Sequence, residues 1–515
     1  MQHSFPLSWL LTAFIAYTVL LFVVSWLSSR KSGSNSYFSG DKKAPWYIVA
    51  YGMVGTSISG VTFISVPGNV LNQNFYYMPL VLGFVVGYVV IAQVLLPLYY
   101  RMNLTSIYTY LERRFGFLTY RTGAAVFMVS RILGAAVRIF VVVLVLHTFL
   151  PEGTVPFWVV ALVFMLLIFL YTFKGGVKTI IWTDVLQTTF MLLAVFLTIS
   201  VICREMDWNL GSMFAAISGA DNPNIPGTGF SNWFDMTWSS ATNSVKQFIS
   251  GIFITIVMTG LDQEMMQKNL ACKNIKDAQK NIYTTSMTIV LVNYFFLILG
   301  AVLAVFVSSK LGGMEGIGLA DAAGVFTKAQ TDKLFPVVAS QYLGLGIGLF
   351  FIIGLISASY PSAGGALTSL TTSFCIDFMG FNSRKDLTDE RKVSIRKWAH
   401  AGFACLFFAA IVVLYWINND TVIDLVYKLA SYTYGPLLGF FFFGILTKRQ
   451  VKDAAMPFVA IASPVLCYLL DWAGQAWLGF GFGFTILLVN GLLSFLGMLL
   501  FSRRATDVEL NKMQG

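Results

Sequence analysis

The chain has 515 residues, of which 57% are hydrophobic and only 11% are charged. Soluble domains carry about 25% charged residues, so this composition excludes a water-soluble globular protein, and the apolar content excludes intrinsic disorder. The 46 Phe and 44 Gly residues are typical of helical membrane proteins, in which Gly is commoner than in soluble helices. We therefore predict an all-α polytopic membrane protein.

Thirteen apolar segments are long enough to cross a bilayer, which takes about 20 residues in a helix. The ninth segment is too long for a single crossing, and we expect it to extend as a helix into the cytoplasm. The predicted spans lie near residues 7–28, 45–68, 77–100, 122–148, 156–173, 180–203, 244–267, 283–308, 341–378, 399–417, 424–446, 454–473 and 480–501.

The basic residues predict the orientation of these spans. With the N-terminus outside, most of the 34 Lys and Arg residues fall in cytoplasmic loops, as the positive-inside rule requires. We therefore expect a multi-pass protein of the cell inner membrane with a cytoplasmic C-terminus. The net charge of +10 follows from this topology, without a nucleic-acid partner. The cytoplasmic set includes Arg30, Lys31, Lys42, Lys43, Arg113, Arg114, Arg121, Lys268, Lys273, Lys276, Lys280 and the run 384–397.

None of the predicted loops is large enough for a catalytic or nucleotide-binding domain. The longest outer loop, 204–243, is polar and rich in Gly, Pro and Asn, and the inner loops are short. No acid–base or metal constellation is visible near the end of a span. We therefore do not expect an enzyme, and nothing in the sequence indicates an obligate protein partner.

Two hydroxyl-rich stretches interrupt apolar spans. The first, G-T-S-I-S-G-V-T-F-I-S-V-P-G at 55–68, contains Gly and Pro, which weaken a helix and free carbonyls that can coordinate a cation. The alternative is a kinked helix whose hydroxyls bond to their own backbone. The second stretch, at 357–373, includes Pro361. Its hydroxyls suit either an alkali cation or close packing of helices.

Charge inside a membrane span is costly and usually functional, and three such residues are candidates here. Arg131 and Arg138 are seven residues apart and share one helical face, which suits capture of a substrate carboxylate; the alternative is snorkelling or an ion pair. Asp184 needs a cationic partner, and the alternative to a functional role is an interfacial ion pair with Lys174 or Lys178.

These stretches resemble the sodium:solute symporter family. The sequence G-G-V-K-T-I-I-W-T-D-V-L-Q at 175–187 is similar to the family signature G-G-x-x-x-x-x-W-T-D-x-x-Q. Three further stretches agree with the family in the same order, so the resemblance extends over essentially the whole chain. They are L-T-S-I-Y-T-Y-L-E-R-R-F (104–115), D-Q-E-M-M-Q-K (262–268) and Y-G-P-L-L-G-F-F (434–441).

The resemblance implies two five-helix repeats of opposite topology, each beginning with a broken helix. The first repeat would cover 45–203 and the second 244–446. An extra N-terminal helix and cytoplasmic loop at 1–44 would precede them, and two helices with a short tail at 447–515 would follow. The segment 204–243 would be the extracytoplasmic loop between the repeats.

The resemblance also implies Na⁺ as the coupling ion and locates its ligands. The residues matching the family's ligands are Gly55, Ile58, Ala358, Pro361 and Ser362. Pro361 departs from the family, which has Ser or Thr there, so one hydroxyl is lost and Ser359 or a water would have to replace it. A second sodium site of some members would use Asp184. Its serine positions are Gly364 and Gly365 here, so we expect that site to be weak or absent.

The stretch S-I-S-G-V-T-F at 57–63 is similar to that of bacterial sialic acid symporters. It implies solute contacts from Ser57, Ser59, Thr62 and Tyr77, with Arg131 or Arg138 binding a carboxylate. The implied function is import of an anionic, polyhydroxylated solute such as sialic acid by sodium-coupled alternating access. Other carboxylates, pantothenate-like acids, proline-like amino acids and proton coupling remain open, as do a channel and a transporter-like sensor.

Overall fold

The structure is a computed structural model of the full chain, in which helices dominate. Two short antiparallel strand pairs accompany them: β1 (Asp221–Asn222) pairs with β2 (Ile225–Gly229), and β3 (Arg449–Val451) with β4 (Ser502–Arg504). The residues that the structure describes are 7–29, 44–151, 153–173, 176–222, 224–320, 327–381, 384, 386–417, 422–479 and 481–505.

The first half of the chain contains nine helices within the described ranges. The fourth includes a π-helical turn at Ile91–Leu95. The helices are α1 (Leu7–Ser29), α2 (Trp46–Ser57), α3 (Gly60–Gln73), α4 (Met78–Arg101), α5 (Thr109–Arg114), α6 (Phe117–Thr148), α7 (Phe157–Thr172), α8 (Gly176–Glu205) and α9 (Leu210–Gly219).

The second half follows the same pattern of long helices with short connections. Single 3₁₀ turns, Asp453–Ala455 and Gly483–Thr485, lead into its last two helices. The helices are α10 (Ser244–Gly260), α11 (Gln263–Leu270), α12 (Ile275–Lys310), α13 (Gly313–Gly316), α14 (Lys328–Thr331), α15 (Leu334–Gln341), α16 (Gly344–Phe378), α17 (Asp389–Ile417), α18 (Val422–Leu446), α19 (Met456–Leu478) and α20 (Ile486–Leu500).

Two spans are broken near their middle. Helices α2 and α3 meet at 58°, and α10 and α11 meet at 65°. The first break is at Ile58 and Ser59, whose backbones are extended (φ −93°, ψ 98° and φ −90°, ψ 176°). At the second break the side chain of Asp262 accepts hydrogen bonds from the amides of Glu264 and Met265, and so caps α11. Each broken span begins one of the predicted repeat segments, 45–203 and 244–446.

The predicted count of thirteen spans is not confirmed. In the described part of the chain, ten helices are long and apolar enough to cross a membrane, and the two bent pairs raise the number to twelve. The predicted span at 156–173 forms α7, which has only 16 residues and falls short of the usual membrane-spanning length. The predicted span at 341–378 forms one continuous helix, α16.

The broken spans lie in the interior of the helix bundle. Helix α2 packs against α8, and α3 packs against α12. Phe63 of α3 stands at the centre of an aromatic cluster with Phe296, Phe335 and Phe351. Large apolar side chains of the outer helices are exposed, including Trp158 and Leu166 of α7, as expected where lipid replaces water as the solvent.

Candidate functional site

A cavity opens at the break between α2 and α3. All six residues predicted to contact a solute line it, although they come from three separate stretches of the chain. The break makes this possible, because extended residues between two half-helices turn side chains and backbone groups toward the same space. The predicted lining residues are Ser57, Ser59, Thr62, Tyr77, Arg131 and Arg138.

The cavity wall is rich in hydroxyl groups. The Oγ of Ser57 is buried and has no hydrogen-bond partner among the described residues, which leaves it available to a bound molecule. The opposite wall contains Thr255, Thr259 and Asn293, none of which the sequence analysis identified. The spacing of Thr255 and Thr259 could have identified them as lining residues. They are four residues apart, just before Gly260, so both hydroxyls lie on one helical face.

The two cavity arginines have different surroundings. Arg131 forms buried ion pairs with Glu264 and, at 3.5 Å from Nη1 to Oδ2, with Asp262. Its charge is therefore balanced by two carboxylates of the second broken span. Arg138 lies two helical turns further along α6 and also lines the cavity. Arg131 therefore forms the ion pair that was one of its predicted alternatives, and it lines the cavity as well.

The residues predicted to bind sodium lie on facing helices. The hydroxyl of Ser362 on α16 is 3.5 Å from the carbonyl oxygen of Thr56, the neighbour of Gly55 on α2. Because α2 ends at Ser57, its last carbonyls lack helical partners beyond the break. This contact places the predicted ligand Ser362 beside the end of α2, where Gly55 precedes Thr56 and Ile58 follows the last helical residue.

Pro361 lies inside α16 and is buried among these residues. It carries no hydroxyl, and its ring nitrogen cannot donate to the carbonyl of Ser357 one turn earlier. The hydroxyl of Ser359 is fully buried without a hydrogen-bond partner in the described chain, and it lies three residues before Ser362 on the same helix. A buried unpaired hydroxyl at this position fits the replacement ligand that the sequence analysis required.

Asp184 is buried, and its partner is Lys268. The Lys268 Nζ lies 2.7 Å from the Asp184 Oδ2, and the hydroxyl of Thr56 donates to the same oxygen at 3.0 Å. The prediction that Lys268 is a cytoplasmic loop residue is therefore wrong, since its side chain is only 4% exposed. The alternative partner Lys178 is not the one observed, and Lys174 lies outside the described residues.

Gly364 and Gly365 lie where the family's second sodium site would need serines. A side chain at Gly364 would collide with the hydroxyl of Tyr171, and one at Gly365 would collide with the carboxylate of Glu264. A serine at either position would therefore require Tyr171 or Glu264 to move. Asp262, Glu264 and Lys268 were not among the predicted site residues, although three charges close together at the end of one apolar span were a signal for them.

The comparisons with known proteins agree with this geometry. The profile of the sodium:solute symporter family matches residues 37–460. The sodium/sialic acid symporter NanT of Aliivibrio fischeri is 25% identical over 448 residues, which cover 86% of this chain and 84% of NanT. The sodium/sialic acid symporter SiaT of Proteus mirabilis is 24% identical over 456 residues, which cover 86% of this chain and 87% of SiaT.

A solved structure has the same fold. It is a Na⁺-coupled sialic acid symporter in a substrate-bound, outward-open state, and the match covers 96% of this chain and 99% of that one, with a TM-score of 0.79 and 20% identity. That relationship identifies the inverted-repeat fold of sodium-coupled transporters. The protein is a multi-pass secondary transporter and not an enzyme.

The chain belongs to the sodium:solute symporter family, whose members couple solute movement to sodium.

Proposed function

We propose that the protein imports an anionic, polyhydroxylated solute of the sialic acid type together with sodium. The observation that supports this proposal most strongly is the cavity at the break of α2 and α3, which gathers six hydroxyl, phenol and guanidinium side chains from distant parts of the chain. Such a lining matches a solute with several hydroxyls and one carboxylate. The two sialic acid symporters similar to this chain support the same solute class.

In this proposal Arg138 binds the carboxylate of the solute. A guanidinium binds a carboxylate through two parallel hydrogen bonds, which fixes both the position and the orientation of the ligand. Arg131 serves a different purpose, because Asp262 and Glu264 already balance its charge. Ser57, Ser59 and Thr62 bind the hydroxyls of the solute.

Tyr77 is proposed to separate the binding cavity from an outer entrance. It lines the binding cavity and also a second cavity. The second cavity is polar and is lined by one residue of each charge, Lys428 and Asp471. Movement of the Tyr77 ring would then open or close the route between the two spaces.

Sodium is proposed to bind between α2 and α16, with oxygen ligands from Gly55, Ile58, Ala358, Ser359 and Ser362. This site shares the broken segment of α2 with the solute cavity, since Ser57 and Ser59 flank Ile58. An ion that fixes the segment therefore prepares the solute site. By thermodynamic linkage the solute must raise the affinity for sodium by the same factor. A tenfold inward sodium gradient then supplies about 1.4 kcal/mol per ion for solute uptake.

The orientation and the repeat boundaries belong to the same proposal. The distribution of Lys and Arg supports an outer N-terminus and an inner C-terminus in the cytoplasmic membrane. The repeats are proposed to cover 45–203 and 244–446, with 1–44, 204–243 and 447–515 outside them. Two bent helix pairs, at the start of each proposed repeat, support this division.

Uptake into proteoliposomes tests the proposed function. Labelled N-acetylneuraminic acid should accumulate under an inward sodium gradient, and the signal should disappear when potassium replaces sodium. The Arg138→Gln variant should lose uptake, while Arg384→Gln, at an exposed site, should retain it. Equal uptake in both salts would contradict sodium coupling. Absence of uptake in either salt would contradict the solute class, and a panel of other carboxylates would then identify the solute.

A further inference from the structure

Lys268 occupies a pocket that is built to hold a cation. Its side chain is 4% exposed, and its ammonium nitrogen lies 2.7 Å from the Oδ2 of Asp184, 2.6 Å from the Oγ1 of Thr56 and 3.4 Å from the Oε1 of Glu264. Three oxygen atoms from three different helices thus surround one positive charge. A buried carboxylate such as Asp184 requires a cation nearby, either a side chain or a bound metal ion.

The position of this pocket connects it to both broken spans. Thr56 precedes the break of α2 and is the neighbour of Gly55, one of the proposed sodium ligands. Lys268 belongs to α11, the second half of the other broken span, and Asp184 belongs to α8. The ammonium therefore links the first broken span to the second through oxygen atoms, as a free ion at the same position would.

Gly364 and Gly365 of α16 offer no side-chain oxygen to this pocket. Glu264 occupies the space beside Gly365, and Tyr171 occupies the space beside Gly364. Of the oxygen atoms around Lys268, the Oδ1 of Asp184 still has no hydrogen-bond partner within the described chain. The pocket thus provides a carboxylate and a hydroxyl, while the cation comes from the protein itself.

We infer that the ammonium group of Lys268 is a permanent, covalently tethered cation that takes the place of a second, transported sodium ion. This inference rests on the proposed sodium-coupled symport. An ammonium is a compact point charge, so it can hold Asp184 and Thr56 together in the way that an alkali cation would. Because it remains with the protein throughout the cycle, it adds no transported charge.

The inference sets the number of transported ions. With one sodium ion at the site between α2 and α16, and none at Asp184, import of a solute with one negative charge moves no net charge. Uptake then depends on the sodium gradient and not on the membrane potential. Replacing Lys268 with Ala vacates the position beside Asp184, and a second sodium ion binds there.

The test counts sodium ions bound to the purified full-length protein with ²²Na⁺, a readout that does not require the solute to be known. The wild-type protein should bind one ion at saturation and Lys268→Ala should bind two. Lys268→Arg keeps the charge and should bind one ion, like the wild type. The double variant Lys268→Ala/Asp184→Asn should also bind one ion. Lys310→Ala, which changes an exposed lysine at the end of α12, is the matched control.

In proteoliposomes, an imposed inside-negative potential should leave wild-type uptake unchanged and should increase uptake by Lys268→Ala.

An unchanged ion count in Lys268→Ala overturns the inference, as does a count of two in the wild type. If Lys268→Ala folds only in sodium and not in potassium, the inference is supported, and misfolding in both salts overturns it. A wild-type count of zero contradicts the proposed coupling, yet a gain of one ion in Lys268→Ala would still support the tethered cation.

Discussion

The hydroxyl of Ser362 on α16 lies 3.5 Å from the carbonyl oxygen of Thr56 on α2. This contact joins the end of the first broken helix to a helix more than three hundred residues later in the chain. Both groups carry oxygen, the ligand atom that hard cations prefer. Sodium bound here would therefore hold the two helices together during one part of the transport cycle.

We predict that Ser362→Ala weakens sodium activation. Removal of one oxygen ligand should raise the sodium concentration for half-maximal solute binding by about tenfold, equivalent to about 1.4 kcal/mol. Solute affinity at saturating sodium should change little. Sodium titrations of solute binding to the purified protein give both values. Ser369→Ala is the control, since the Ser369 hydroxyl donates to the carbonyl of Ala366 on its own helix.

Ser359→Ala should have an effect in the same direction if its unpaired hydroxyl replaces the one that Pro361 lacks. Pro361→Ser should then restore an oxygen at the family position and lower the half-maximal sodium concentration. The double variant of Ser359→Ala and Pro361→Ser should behave approximately like the wild type. If Ser359→Ala leaves the sodium titration unchanged, Ser359 is not a ligand.

The loss of Arg138 should be specific for anionic solutes. Hydrogen bonds to charged groups contribute about 1.5–3 kcal/mol, so Arg138→Gln should weaken N-acetylneuraminic acid binding about 10- to 100-fold. A neutral analogue without the carboxylate should bind wild type and variant with equal, low affinity. Calorimetric titration with both ligands measures the difference. Equal losses for both ligands would show that Arg138 shapes the cavity instead of binding the carboxylate.

Arg131 should matter for folding more than for solute affinity. Removing one partner of a buried ion pair leaves an uncompensated charge and costs about 3–5 kcal/mol. Arg131→Met should therefore lower the Tm of the purified protein clearly. The exposed pair of Arg384 and Asp386 provides the control, because surface ion pairs contribute about 0–1 kcal/mol. Arg384→Gln should leave Tm unchanged, and an equal drop in both variants would contradict the structural role of Arg131.

Gly55→Ala should disturb the packing of α2 on α8. The added methyl group would collide with the hydroxyl of Thr188 and lie 3.2 Å from the Thr188 Cβ, and overpacking costs about 1–3 kcal/mol. We expect a lower Tm and slower sodium-driven uptake. Thr188→Ala removes the colliding hydroxyl, so combining the two changes should recover part of both losses. Without such recovery, the contact with Thr188 is not the cause.

Local composition indicated a weakened helix at 55–68, the family resemblance implied that it is broken, and the structure breaks it at Ile58 and Ser59. Gly, Pro and five hydroxyls within 55–68 weaken a helix wherever it lies, and the residues of this stretch gather at one break in the structure. The family resemblance added the second half of the site on α16. The rest of the cavity wall, including Thr255, Thr259 and Asn293, comes from distant segments and was not predicted.

The ion pairs could not be predicted in the same way. Lys268 lies at the end of an apolar span, and the positive-inside rule treats a lysine there as exposed to the cytoplasm. Its true partner, Asp184, is 84 residues away in sequence. Arg131 and Arg138 look equivalent on their helix, and nothing in the sequence shows that Arg131 pairs with the carboxylates of α11 and of the break before it.

The most direct test of the account is reciprocal linkage between sodium and the solute in the purified protein. The dissociation constant for N-acetylneuraminic acid is measured at low and at saturating sodium, and the dissociation constant for sodium is measured with and without the acid. We predict that each ligand raises the affinity for the other by the same factor, as a shared broken helix requires. An identical affinity for the acid in sodium and in potassium would contradict the account.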